Sequence, residues 1–163
     1  DRPEHGMVEL CRERGIALLC YGTVAGGFLS ERWLDAPEPA APLANRSLTK
    51  YKLIIDEFGG WAAFQSLLGV LRDVGARHGC DIATVATRAM LDRPGVAAAI
   101  VGATSTAHLA AHQRIGELVL EAGDFSAIAA VTLARLGPPG DVYTLERDRN
   151  GPHGRIMKYG LNK

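Results

Sequence analysis

Two segments of the sequence place small or polar residues directly after a short apolar run. Gly22, Thr23 and Val24 follow the run at residues 16–21, and a second segment begins at Gly102 after the run at residues 96–101. Loop amides can bind phosphate oxygens where no bulky side chain blocks their approach. Both segments are candidate functional segments, although the pair Gly26-Gly27 taken alone predicts only a turn and lacks the GxGxxG pattern.

The second segment also contains the start of a predicted helix. Ser105 or Thr106 can cap a helix that runs to about Gly116, and the free N–H groups at such a start attract phosphate. His108 and His112 stand four residues apart, a spacing that could bind a metal ion, but no cysteine or carboxylate nearby completes a ligand set. We expect no metal here. The candidate residues of this segment are Gly102, Ala103, Thr104, Ser105, His108 and His112.

Alternating helices and strands would position these two segments. The apolar runs at residues 16–21 and 96–101 predict strands buried on both faces, as in a parallel sheet. Apolar periodicity and capping residues predict helices over residues 3–14 and 61–78, a helix capped by Asp81, and a last helix over residues 125–136 capped by Asp124. Residues 35–60 have no long periodic pattern. The sequence of residues 141–163 predicts either a hairpin that turns near Asn150-Gly151 or an extended arm. The charged run Glu146–Arg149 is interpreted as a solvated loop.

Two strands with both edges open cannot form a stable sheet alone, so this pattern predicts part of a larger α/β sheet. Trp33, Trp61 and Phe64 are interpreted as packing residues. Tyr21, at the end of the first strand, could be a core tyrosine or a stacking surface for a flat ring. The sequence alone leaves both open.

Composition excludes several classes of function. The chain has 163 residues, with 18 Lys and Arg against 18 Asp and Glu, so its net charge is zero and nucleic acid is not an expected partner. Its apolar runs are far shorter than the ~20 residues of a membrane span. Its three cysteines have irregular spacing, which favours the reducing cytoplasm.

Several motifs together resemble the aldo-keto reductase family. They are Leu18–Ser30, which is similar to the family's seventh-strand segment, Leu91–His112, which is similar to its eighth strand and following helix, and the stretches Asn45–Lys52, Gly60-Trp61 and Ile156–Tyr159. The resemblance implies a (β/α)8 TIM barrel. Such a barrel typically needs ~250 residues. We therefore expect residues 1–140 to be the C-terminal units of an incomplete barrel, with residues 141–163 as a tail and roughly six units absent.

The resemblance also implies roles for the candidate residues. Tyr21 would stack on the nicotinamide ring, Gly22, Thr23 and Val24 would follow the pyrophosphate, and residues 102–112 would hold the adenosine end of NADP(H) or NAD(H). No Arg or Lys occurs between Arg93 and Arg114, so strong NADP preference is not expected.

Two functional hypotheses follow from the resemblance. In the first, the chain is the cofactor-binding part of an NAD(P)H-dependent reductase of small carbonyl compounds. The resemblance implies that the family's catalytic Asp, Tyr, Lys and His lie on the first four barrel strands, which have no counterpart in this sequence. Tyr51, Tyr143 and Tyr159 are assigned to loops or the tail, not to strand ends. In the second, the chain is a truncated, non-catalytic fragment that self-associates. Both hypotheses predict a homo-oligomer or a complementing N-terminal segment.

Overall fold

Helices and two short strands alternate along residues 6–103, 106–135, 137–138 and 142–157, the parts of the chain that the computed structural model describes. Three single turns of 3₁₀ helix, at Ala25–Gly27, Glu31–Trp33 and Thr106–His108, connect them. The regular elements are α1 (Met7–Arg14), β1 (Leu18–Tyr21), α2 (Arg46–Phe58), α3 (Gly60–His78), α4 (Ile82–Leu91), β2 (Val96–Ile100), α5 (Leu109–Glu117), α6 (Ala122–Thr132), α7 (Val142–Arg147) and α8 (Pro152–Arg155).

The two strands pair in parallel, as the sequence predicts. Leu18 lies opposite Val96 and Tyr21 lies opposite Ile100, with an irregularity in register between Leu18 and Leu19. Because the strands run in the same direction, their carboxyl ends lie at one edge of the pair. The two candidate segments that follow them therefore begin side by side.

The core lies between α2, α3, α4 and the turns after β1. Phe28 is fully buried, and its ring centroid is 4.9 Å from that of Trp33 and 6.1 Å from those of Trp61 and Phe64. The interpretation of Trp33, Trp61 and Phe64 as packing residues is confirmed. Fully buried aliphatic residues extend this core along α3 and α4: Leu68, Val74, Ile82 and Val85.

The prediction that residues 35–60 lack a long regular element is wrong, because α2 spans Arg46–Phe58. Asn45 caps this helix, and its side-chain oxygen accepts a hydrogen bond from the Leu48 amide at 2.9 Å. Leu48, Tyr51 and Ile55 follow at helical spacing and pack against the core. The cap and this stripe are the local signals that could have revealed the helix.

The start of α6 also differs from the prediction. The helix begins at Ala122 after Glu121, so Asp124 lies in its first turn and is not the residue that precedes it. The Asp124 carboxylate accepts hydrogen bonds from the Glu121 amide at 2.9 Å, from Arg77 at 2.6 Å and from His78 Nε2 at 2.7 Å. Burial alone would raise the pKa of Asp124, but these three bonds lower it to about 2. Similarly, Thr106 begins a 3₁₀ turn, and His108 is the residue that precedes α5.

We expect Asp124→Asn to lower the free energy of unfolding at pH 7 by about 2 kcal/mol, because a depressed pKa in the folded state stabilises the ionised form. This contribution is complete above the ordinary carboxyl pKa of 3.8 and is lost as the pH falls toward 2. Urea denaturation between pH 2 and 7 measures it. The exposed Asp73 of α3 is the matched control, and Asp73→Asn should change stability by less than about 0.5 kcal/mol. Equal effects of the two substitutions would contradict this assignment.

The described part of the tail is helical, so the predictions of a hairpin or an extended arm are wrong for residues 142–157. The segment does lie over another element, since an ion pair and a hydrogen-bonded contact join it to α2. Lys50 pairs with Glu146, and the buried His153 contacts both carboxylate oxygens of Glu57 through Nε2 at 2.9 Å. Glu146 and Arg147 lie in α7, and the Glu146 side chain is 19% exposed, so the interpretation of Glu146–Arg149 as a solvated loop is wrong at its first two residues.

Candidate functional site

The carboxyl edge of the two strands is open to solvent. Tyr21 is 62% exposed and its partner Ile100 is 58% exposed, so the described chain does not bury Tyr21 as a core residue. Gly22, Thr23 and Val24 leave this edge from β1, and the exposed Gly102 and Ala103 leave it two to three residues after Ile100. The strand pairing thus brings the two predicted segments together at their first residues.

The loop after β1 is held by its own hydrogen bonds. The Ala25 amide donates to the Gly22 carbonyl and the Gly27 amide to the Val24 carbonyl, each at 2.9 Å. The Thr23 hydroxyl lies 3.1 Å from that of Thr87, a buried residue of α4, so the side chain of Thr23 anchors the loop. The backbone amides of Thr23 and Val24 donate to no acceptor within the described residues. Those two N–H groups remain able to bind an anion.

Tyr51 of α2 forms the other side of this loop. Gly22 and Gly26 have φ values of +71° and +66°, and each faces the Tyr51 side chain. A Cβ at Gly22 would collide with the Tyr51 hydroxyl, and one at Gly26 would lie 2.8 Å from ring atom Cδ2. Both glycines are therefore required by backbone conformation and by the close approach of the ring. The assignment of Tyr51 to a loop away from the strand ends is wrong.

Lys50 brings a positive charge to the same place. Its Nζ lies 6.0 Å from the centroid of the Tyr51 ring and forms an ion pair with Glu146. Burial lowers the pKa of the Lys50 ammonium, but the hydrogen bond to Glu146 and the charge of that carboxylate raise it by more. Lys50 is therefore a cation at neutral pH. Sequence reasoning missed it because its partner lies in the tail.

The rest of the second segment is less closely connected to this loop. Thr104 and Ser105 lie outside the described residues. His108 is exposed in the 3₁₀ turn before α5, and His112 is half-buried one turn into α5. No hydrogen bond or ion pair between described residues joins either histidine to the Gly22–Gly27 loop.

The described residues hold neither a metal-binding cluster nor a membrane-spanning helix. Across residues 6–103, 106–135, 137–138 and 142–157, no three His, Cys, Asp or Glu side chains are grouped as a metal ion would need. Within those same ranges, none of the helices has both the length and the apolar character needed to cross a membrane.

Comparison with known proteins assigns the chain to a family. The model of the aldo/keto reductase family matches residues 1–132, which include both strands and the two candidate segments. The chain belongs to the aldo/keto reductase family. This agrees with the resemblance seen in the sequence, and members of this family have a (β/α)8 barrel fold and generally use nicotinamide cofactors.

Two curated relatives match part of the chain. Flagellar radial spoke protein 5 of Chlamydomonas reinhardtii is 33% identical over 94 residues, which cover 56% of this chain and 18% of that protein. An aldo-keto reductase of Babesia bovis is 28% identical over 102 residues, which cover 61% of this chain and 35% of that protein. The chain thus matches about a fifth and a third of the lengths of these two relatives.

Proposed function

We propose that this chain is the C-terminal, cofactor-binding part of an NAD(P)H-dependent aldo/keto reductase, and that β1 and β2 are the last two strands of its barrel. The observation that carries the proposal is the exposed Tyr21 ring beside a glycine loop with two unused amides. Barrel enzymes build their sites at the carboxyl ends of the strands, where both features lie.

The geometry fits the parts of a nicotinamide dinucleotide. The Tyr21 ring offers a flat apolar surface for the nicotinamide, which leaves the opposite ring face open toward a carbonyl substrate. The amides of Thr23 and Val24 would bind pyrophosphate oxygens, with Gly22 allowing close approach. Gly102, Ala103, Thr104, Ser105, His108 and His112 would hold the adenosine end. When bound, the cofactor supplies the hydride that reduces the carbonyl carbon.

The proton for the carbonyl oxygen would come from a general acid in another part of the barrel. No residue of this chain is proposed as catalytic. Because no Arg or Lys occurs between Arg93 and Arg114, we propose that the site accepts NADP(H) or NAD(H) without a strong preference. The free thiols of Cys11, Cys20 and Cys80 favour a cytoplasmic setting.

The exposed face of the two-stranded sheet favours a further protein partner. Leu19, Tyr21 and Ile100 are each about 60% exposed, and the two-stranded pair leaves backbone groups unpaired at its edges. We propose that preceding barrel strands or a second copy of the chain cover this face. A non-catalytic, self-associating fragment is the alternative that the same exposed face favours.

Calorimetric titration of the 163-residue chain with NADH and NADPH tests the cofactor site. Stacking of a flat ring on an aromatic side chain is worth about 1–3 kcal/mol, so Tyr21→Ala should weaken binding by about tenfold or more, and Tyr21→Phe should retain it. Leu19→Ala is the matched control, since Leu19 lies on the same strand and is 60% exposed. Absence of binding to the unmodified chain, or equal losses in Tyr21→Ala and Leu19→Ala, would refute the proposed function.

A further inference from the structure

The proposed cofactor site has an unbalanced charge. A nicotinamide dinucleotide carries two negative charges on its pyrophosphate, and buried or half-buried anions need a cation or several hydrogen bonds. No Lys or Arg occurs between Arg93 and Arg114 or between Arg14 and Arg32, so neither candidate segment contributes one. A cation that neutralises this pyrophosphate would therefore come from another element.

Lys50 is a cation that α2 brings close to the loop. Its neighbour Tyr51 packs directly on Gly22 and Gly26, and its ammonium lies 6.0 Å from the Tyr51 ring centroid. The charge of Lys50 therefore lies beside the ring that packs on the phosphate loop.

We propose that Lys50 is a cofactor-binding residue that contacts the pyrophosphate of the nicotinamide dinucleotide, and that Glu146 of α7 competes with that pyrophosphate for it. The inference rests on the proposed function. A lysine has a flexible four-carbon stem, so its ammonium can turn from one anion to another without moving α2. The Lys50 and Glu146 side chains are 24% and 19% exposed, so the ammonium needs an anionic partner in either state.

A purely structural role for Lys50 makes a different prediction. The tail contacts α2 at two points: Lys50 pairs with Glu146, and Glu57 contacts His153. The two points are seven residues apart both in α2 and in the tail. If Lys50 only anchors the tail and holds Tyr51 on the loop, substitution of Lys50 and substitution of Glu146 should loosen the loop equally. If Lys50 binds the cofactor, removal of Glu146 should release the ammonium for that task.

The experiment titrates four variants of the 163-residue chain with NADH by calorimetry at low and moderate salt. Lys50→Met should weaken binding about tenfold and reduce the salt dependence, whereas Lys50→Arg should retain most of the affinity. Lys52→Met is the matched control, because Lys52 lies on the same helix and pairs instead with Glu38 and Asp56; it should change affinity less than twofold. Glu146→Gln should bind at least as tightly as the unmodified chain.

The outcomes separate this inference from the proposed function. Equal affinities of Lys50→Met and Lys52→Met, or a loss in Glu146→Gln as large as that in Lys50→Met, would overturn the role of Lys50 and leave the cofactor site standing. If the unmodified chain does not bind NADH, the proposed function fails, and inorganic pyrophosphate becomes the probe in the same titrations. If the unmodified chain then binds pyrophosphate and Lys50→Met does not, Lys50 is still supported as the anion-binding residue. If the unmodified chain does not bind pyrophosphate either, the role of Lys50 is overturned as well.

Discussion

Replacement of Phe28 by alanine is expected to lower the free energy of unfolding by about 3–5 kcal/mol, the usual cost of deleting a buried phenylalanine side chain. Phe28 has no exposed surface, and the rings of Trp33, Trp61 and Phe64 all lie within 6.1 Å of it. The cavity would open between the turns after β1 and the first part of α3. Urea denaturation followed by tryptophan fluorescence measures the change at the cluster itself.

Phe125 supplies the matched control for this prediction. It is a phenylalanine in the first turn of α6 and is 37% exposed, so Phe125→Ala should cost much less than Phe28→Ala. If the two substitutions destabilised the chain equally, the cluster around Phe28 would not be the centre of the core.

The 163-residue chain is expected to reduce no aldehyde or ketone at an ordinary enzymatic rate, even with saturating NADPH. Positioned acid–base catalysis contributes typically ~10²–10⁴-fold, and orientation of the reactants contributes more. Tyr21 would hold one face of the nicotinamide, but the proposed proton donor belongs to other strands of the barrel. The measurement is NADPH oxidation with a reactive nitrobenzaldehyde.

Catalysis by Tyr51 would contradict this prediction. The Tyr51 hydroxyl lies against Gly22 at the end of β1, which makes it an alternative proton donor within the described residues. Rapid turnover that is lost in Tyr51→Phe and retained in Leu19→Ala would show that the general acid lies within this chain.

The sequence was sufficient for elements whose signals are local. The apolar run that ends at Tyr21 correctly predicted a parallel strand, and glycine at position 15 correctly predicted the end of α1. The prediction that this strand is buried on both faces is wrong for the described residues, because Leu19 and Tyr21 are about 60% exposed. The spacing of Phe64, Leu68 and Leu71 likewise predicted the buried side of α3. Each of these features depends on residues within a few positions of one another.

The α2 and tail contacts could not be predicted from such local signals. His153 and Glu57 are 96 positions apart in sequence, and so are Glu146 and Lys50. The helices α7 and α8 have six and four residues, and helices this short depend on tertiary packing for their stability. Tyr51 and Lys50 therefore became candidate site residues only once α2 was seen to pack on the loop after β1.

Backbone amide chemical shifts of the isotopically labelled chain during titration with NADH test the cofactor site most directly. The account predicts that the largest shifts occur at Thr23 and Val24, whose amides have no acceptor in the described residues, with further shifts at Tyr21, Gly102 and Ala103. Amides on the far side of the core, such as those of Gly69 and Asp73 in α3, should not move. Shifts confined to α3 or α6, or no shifts at millimolar NADH, would contradict a cofactor site at the carboxyl ends of β1 and β2.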